Sequence, residues 1–177
     1  FLRTARLVPR KNYPALFRSL RPVLAEHPEV LLVVHCAPQD QGGMLAEMIS
    51  REPGAEASGS SWRHPQIRVT QAHDTFRGLP DEALNVLYNA ADIYVSPTMA
   101  EGFGLTLAEA AACSVPVVTT DYGAIPEAVG EGGILVKPRA FTNSTGVYSH
   151  PWALVDEDAF GEAVERLVSK PHLRQDI

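Results

Sequence analysis

The 177 residues are 45% apolar and 20% charged, the balance of one ordinary globular domain able to bury roughly 70% of its unfolded surface without disulfides or metal. Fifteen Lys and Arg against twenty-one Asp and Glu give a formal charge of -6, which leaves no positive excess for a nucleic-acid backbone. No apolar run approaches the roughly 18 residues of a membrane span, and Cys36 and Cys113 have neither disulfide-framework nor zinc spacing, so they read as reduced, buried thiols of a cytoplasmic protein.

In chain order, Leu2 to Val8 reads as a strand. Asn12 supplies an N-cap side chain and Pro14 suits a first helical turn; Leu16, Phe17, Leu20, Val23 and Leu24 then recur at helical spacing until His27-Pro28. Val30 to His35 is a β-branched run suited to a strand covered on both faces, and Gly42 to Arg51 reads as a second helix. Glu52 to Pro65, rich in Gly, Ser, Glu and Pro, is expected to be an exposed, mobile loop. Ile67 to Thr70 is a third strand, a helix opens at Pro80-Asp81-Glu82, and Ile93 to Ser96 is a fourth strand. Leu105 to Ala112 is helical, Val115 to Thr119 a fifth strand, Ile125 to Val129 a short helix and Ile134 to Val136 a sixth strand. Pro138 to Leu154 reads as an irregular polar insertion, and Asp156 or Glu157 opens a closing helix through Phe160, Val164, Leu167 and Val168.

Strand and helix alternating to six strands is the pattern of an α/β domain with a doubly wound, Rossmann-like parallel sheet. The usual order, 3-2-1-4-5-6, sets the ends of strands 1 and 4 side by side, where a ligand binds. The polar residues just after Val8 and just after Ser96 are therefore expected to converge.

After strand 4 comes Glu101-Gly102-Phe103-Gly104-Leu105-Thr106-Leu107-Ala108-Glu109. Gly102 and Gly104 allow close backbone approach, and a helix starting near Leu105 turns N-H groups toward the strand end, a setting that attracts phosphate. Two acids beside such a site suit a ligand that also carries hydroxyls, with Glu109 accepting from a ribose diol and Glu101 from a sugar. The plainer reading is that both are acids favoured by the helix dipole, but an unpartnered Glu109 in a helix of Leu and Ala would be costly. After strand 1, Arg6 offers a planar fork and Lys11 a mobile point charge. A solvated basic cluster is the usual alternative, and Arg10 fits it; Arg6, inside an apolar strand, calls for a partner.

Arg6-Leu7-Val8-Pro9-Arg10-Lys11 resembles the phosphate-binding signature of the retaining glycosyltransferases of family 4, also called glycosyl transferases group 1. Glu101 and Glu109, with seven residues between them, look like that family's paired glutamates around Gly-Phe-Gly-Leu. Glu109-Ala110-Ala111-Ala112-Cys113-Ser114-Val115-Pro116-Val117-Val118, Gly123-Ala124-Ile125-Pro126-Glu127 and Gly133-Ile134-Leu135-Val136 follow in the family's order. Departures are Ala5, Asn12 and Ser114 where glycine is usual, and a strand 2 that ends Val33-Val34-His35-Cys36-Ala37 without glycines.

The resemblance implies that residues 1–177 are the donor-binding half of a GT-B fold, beginning at a domain boundary near Phe1, with the acceptor domain upstream. Arg6 and Lys11 would hold the diphosphate of a UDP-, GDP- or ADP-sugar, the backbone at Gly102, Phe103, Gly104 and Leu105 would support it, Glu109 would bind the ribose and Glu101 the transferred sugar. Transfer would retain the anomeric configuration, with no cofactor or essential metal. The acceptor would be a glycan or lipid-linked saccharide reached through the other domain, the full-length enzyme being cytoplasmic, at times on the membrane face. A nucleotide-sugar epimerase, a glycogen-synthase relative and a non-catalytic nucleotide-binding module are the alternatives.

Weaker candidates complete the reading. His35, ending strand 2, lies at the ligand edge, and His73 with Asp74 follows strand 3. His27, His64, His150 and His172 read as surface groups in loops or at helix ends, and Trp62 and Trp152 as loop anchors.

Overall fold

A computed structural model describes residues 1–59, 61–70, 78–144 and 150–177. Six strands, β1 (Leu2–Thr4), β2 (Leu32–His35), β3 (Ile67–Val69), β4 (Tyr94–Ser96), β5 (Val117–Thr120) and β6 (Gly133–Val136), form one parallel sheet in the order β6-β5-β4-β1-β2-β3. This is the expected doubly wound order, and β1 and β4 are neighbours, with Leu2 opposite both Val33 and Tyr94.

Both faces are covered, and the period of two along each strand sorts the core. Val95 and Val118 face a cluster built with α1 (Tyr13–Glu26) and α6 (Glu157–Ser169), through Leu16, Phe17, Leu20, Phe160, Val164 and Leu167. Tyr94 and Val117 face the other way, onto α3 (Asp81–Asn89), α4 (Leu105–Ala112) and α5 (Ile125–Val129), through Tyr88, Leu107, Ala110, Ile125 and Val129. The second helix, α2 (Leu45–Ile49), is short and extends only part of the way along the expected Gly42 to Arg51. Gly42 lies instead beside a two-strand hairpin, Gln39–Asp40 against Gly43–Met44, and its N-H donates to Leu7 O at 2.7 Å.

Several expectations are corrected. β1 ends at Thr4, because Ala5 makes the last sheet contact, to His35 O, before the chain turns through a 3-10 helix at Pro9–Lys11. Arg6 is therefore outside the strand and exposed. Residues 52–65 are not structureless: Glu56–Ser58 pairs with Ser61–Arg63, and His64 is buried, bonded through Nε2 to Pro53 O at 2.8 Å. The insertion forms antiparallel strands Pro138–Asn143 and Pro151–Val155, and Ala153 N donates to Met99 O at 2.9 Å in the loop after β4. Cys36 is buried, whereas Cys113 is only partly so.

Two of the three residues that stand where glycine is usual fall at strained turns. Asn12 (φ 53°) and Ser114 (φ 58°) are the two non-glycine residues with left-handed backbone among those described, a conformation that favours Gly and tolerates Asn. Asn12 precedes α1 as expected, but its side chain makes no cap bond; the αL turn it permits is its contribution.

Candidate functional site

The loop after β4 and the turn after β1 meet through one carboxylate. Glu101 accepts from Lys11 Nζ at 2.6 Å, from Arg10 Nη1 at 2.6 Å and from Thr98 Oγ1 at 2.9 Å, and its side chain is 5% exposed. Burial favours the neutral acid, but the two cations hold the carboxyl below its ordinary range. Lys11 is enclosed as well; burial and the nearby Arg3 cation lower its ammonium from 10.5 to about 8, against the pull of Glu101. Arg10 is not a bystander: Nη1 also donates to Ala100 O at 2.9 Å. One backbone bond closes the same junction, Met99 N to Arg10 O at 2.7 Å, and the Thr98 hydroxyl lies 3.1 Å from that carbonyl, its single proton divided between the carbonyl and Glu101.

The glycine segment continues from this junction into α4. Gly104 is buried with φ 100°, a backbone state reserved in practice for glycine, and its carbonyl accepts the first helical bond, from Leu107 N at 2.9 Å. Gly102 is exposed, and Phe103 and Leu105 project from the loop at 49% and 67% exposure. Glu109, one turn into the helix, has the partner its apolar surroundings required: Oε2 accepts from Tyr88 OH at 2.7 Å. Tyr88 OH also lies 3.0 Å from Thr4 Oγ1, which lies 3.1 Å from Tyr94 OH, so a buried hydroxyl chain runs from the end of β1 to Glu109.

Arg6 is close in sequence to Lys11 but engaged elsewhere. Its guanidinium makes a two-pronged pair with Asp40, Nε to Oδ2 at 3.0 Å and Nη2 to Oδ1 at 3.2 Å, with the arginine side chain 56% exposed. His35 ends β2 opposite Thr4, and Nδ1 lies 2.6 Å from Thr70 Oγ1; burial favours its neutral ring. His73 and Asp74 lie outside the described residues. Sequence reasoning missed Arg3, fully buried under the junction, although it stands in the same apolar run as Arg6.

Other groupings are structural. Asp156-Glu157-Asp158, an Asp-x-Asp tripeptide, starts a helix: Asp156 caps Ala159 N at 3.0 Å and Glu157 pairs with Arg18 at 2.6 Å. Glu26, His27 and Glu165 cluster where α1 ends, and the His27 ring is 3.0 Å from both Glu165 oxygens, so His27 is a hydrogen-bond partner of Glu165, which favours its protonated ring, rather than a bare surface group. His150 and His172 are exposed, as expected. Trp152 Nε1 donates to His150 Nε2 at 3.1 Å within its hairpin. A cavity of about 590 Å³ bordered by Phe1, Leu31, Leu87, Asp92 and Arg174 lies at the opposite end of the strands, away from the edge where doubly wound sheets bind ligands.

Known proteins share this chain's sequence and fold. The model of the glycosyl transferases group 1 family matches residues 1–170. The Escherichia coli O-antigen chain mannosyltransferase B is 47% identical over 61 residues, 34% of this chain and 16% of the relative. The D-inositol 3-phosphate glycosyltransferase of Corynebacterium jeikeium (strain K411) is 33% identical over 134 residues, 74% of this chain and 30% of the relative. Among solved structures, the C-terminal domain of a glycosyl transferase group 1 family protein (LpcC) from Francisella tularensis superposes with a TM-score of 0.62 at 21% identity, covering 98% of this chain and 76% of that one. The pneumococcal O-GlcNAc transferase GtfA, in complex with UDP and GlcNAc, gives 0.64 at 19% identity over 99% of this chain and 30% of that one. These structural likenesses establish the fold, that of one half of a GT-B glycosyltransferase. The chain spans 16% to 35% of the length of the curated relatives it matches.

Proposed function

This chain belongs to the glycosyl transferases group 1 family, and we propose that it is the donor-binding domain of a retaining, family 4 glycosyltransferase. It takes a nucleoside-diphosphate sugar at the adjoining ends of β1 and β4. The observation that carries this reading is the contact of Lys11 with Glu101 at that junction, with Glu109 facing Tyr88 one helical turn beyond.

In this reading the leaving group is a nucleoside diphosphate, and the chemical task is to stabilise its developing charge. Lys11 has three N-H bonds, so it can hold Glu101 and a phosphate oxygen together. Arg6, whose own side chain is 56% exposed, turns from Asp40 to the diphosphate, and the Asp40 carboxylate keeps the Gln41 N-H at 2.8 Å. The backbone from Gly102 to Leu105 lies along the phosphates, and Glu109, oriented by Tyr88, accepts from the ribose. Glu101, held ionised by its two cations, contacts the transferred sugar. His35 borders the nucleoside.

The UDP in the GtfA complex and the transferase names of the relatives support a nucleotide-sugar donor of the hexosyl type. A glycan or lipid-linked saccharide is the acceptor, presented by a second domain of a cytoplasmic enzyme that works at the membrane face; the isolated 177 residues are inactive in transfer. Thermal-shift measurements with UDP, GDP and ADP test the reading, because a ligand that binds only the folded state raises its stability. A rise with one of the three is the expected result; none with any of them removes the reading.

A further inference from the structure

Beneath the Lys11–Glu101 pair lies a charge that donor binding, as set out above, does not use. Arg3 is the middle residue of β1, 0% exposed and among the largest fully buried side chains. Alternation turns it to the sheet face opposite Leu2, among apolar side chains. Among the described residues no carboxylate pairs with it. Nη1 donates to Ser96 Oγ, Nη2 donates to Lys11 O at 3.2 Å, the guanidinium carbon is 5.5 Å from the centre of the Tyr13 ring, and Nε has no hydrogen-bond partner among the described residues.

A buried cation held by neutral groups is an expensive arrangement. Arg3 nonetheless stays charged: burial opposes the charge, and the Tyr94 and Tyr13 hydroxyls with the Glu101 carboxylate outweigh that opposition. Its two partners are not arbitrary. Ser96 is the last residue of β4, and Lys11 ends the turn after β1. One guanidinium thus bridges the two elements that present Glu101 and Lys11.

We propose that Arg3 is a positioning residue of the diphosphate site, fixing the Lys11 turn to the end of β4 and supplying a third positive charge from behind, which an incoming diphosphate balances. This rests on the donor reading. A mere brace would stabilise the fold and treat all ligands alike. A charge kept for an anion strains the empty site and favours the ligand's phosphates specifically. It also acts on Lys11, whose ammonium faces Arg3 from β1, Glu101 from the loop after β4 and Arg10 from its own turn. Lys11 itself loses its proton near pH 8.

The test is calorimetry on the 177-residue chain with whichever of UDP, GDP and ADP binds, and with the matching nucleoside, for wild type and for Arg3→Met, Arg3→Gln and Arg3→Lys. Expected are about a tenfold loss of diphosphate affinity in Arg3→Met, the size of one charged hydrogen bond, unchanged nucleoside affinity, and substantial recovery in Arg3→Lys. The empty Arg3→Met protein should melt no lower than wild type, and the alkaline fall in its diphosphate affinity should move to higher pH. Equal diphosphate affinity in wild type and a folded Arg3→Met or Arg3→Gln variant, or parallel losses for nucleotide and nucleoside, overturns the assignment alone. Binding of no nucleoside diphosphate by wild type overturns the donor reading and this assignment together.

Discussion

Lys11 Nζ and Glu101 Oε1 are 2.6 Å apart and 90 residues apart in the chain, and their contact is the seam between the β1 turn and the β4 loop. Because Arg10 and Thr98 bind the same carboxylate, neutralising it leaves two cations facing each other in a nearly closed space. Glu101→Gln should lower stability at pH 7 by about 3 kcal/mol, the scale of a broken buried pair. The folded carboxyl titrates below its ordinary 4.5, so its contribution is complete above that pH and is lost as pH falls through the lower folded value. The gap between the two proteins in denaturant unfolding should begin to shrink on acidification below about pH 4.5; a gap as large at pH 3 as at pH 7 would contradict the ion-pair account.

Lys11 gives the opposite limb. Its ammonium is lowered to about 8 when folded, against 10.5 for an ordinary lysine. Between those values the unfolded chain binds the extra proton, so Lys11 adds to stability as pH rises from 8 toward 10.5. Diphosphate affinity should move the other way, weakening as the free protein's Lys11 loses its charge, with less weakening in Lys11→Arg. Titrations with the nucleoside diphosphate at pH 7 and pH 9 check this, and a flat profile would separate Lys11 from the phosphates.

Glu109 is set by Tyr88 through a 2.7 Å hydrogen bond. If Glu109 serves the ribose, Glu109→Gln should weaken a ribonucleotide about tenfold and its 2′-deoxy counterpart far less. Tyr88→Phe should cost about 1 kcal/mol of stability and weaken the same discrimination. Equal losses for both sugars would leave Glu109 as a structural acid.

Two backbone predictions concern the scaffold. Ser114 sits at φ 58°, where a side chain costs about 1–2 kcal/mol, so Ser114→Gly should raise stability by up to about 1 kcal/mol after the glycine's own entropy cost. Gly133 lies where an added Cβ would be 2.2 Å from Val117 O across the β5–β6 ladder. Gly133→Ala should therefore lose about 3 kcal/mol, at the upper end of overpacking effects. Thermal or urea unfolding of both variants measures the two signs.

The sheet order was legible because alternating strands and amphipathic helices leave few windings, and the helical period from Leu16 to Leu24 and the continuous apolar run from Val30 to Val34 were clear. The convergence of Lys11 with Glu101 followed from that order. Arg10 was not legible, because a lone cation in a turn has no sequence mark that distinguishes solvent from a partner 91 residues away. Arg3 was legible in principle: the rule that a charge inside an apolar strand has partners was applied to Arg6, but β1 stops at Thr4, and the residue the rule describes is Arg3. The pairing of Glu56–Ser58 with Ser61–Arg63 and the strand Pro138–Asn143 were hidden because these strands are largely exposed and lack an alternating apolar face, and Pro151–Val155 buries only Ala153 and Val155, too short an alternation to mark a strand. Nothing in the sequence marks Tyr88 as a partner of Glu109, because that hydroxyl bond depends on tertiary placement alone.

The most direct test of the central claim is calorimetric binding of a nucleoside diphosphate to wild type and to the Arg6→Ala, Lys11→Ala double variant. A site at the joined ends of β1 and β4 predicts a loss of several kcal/mol, at about 1.5–3 kcal/mol for each charged hydrogen bond. Unchanged affinity in the folded double variant would place the nucleotide elsewhere and contradict the account.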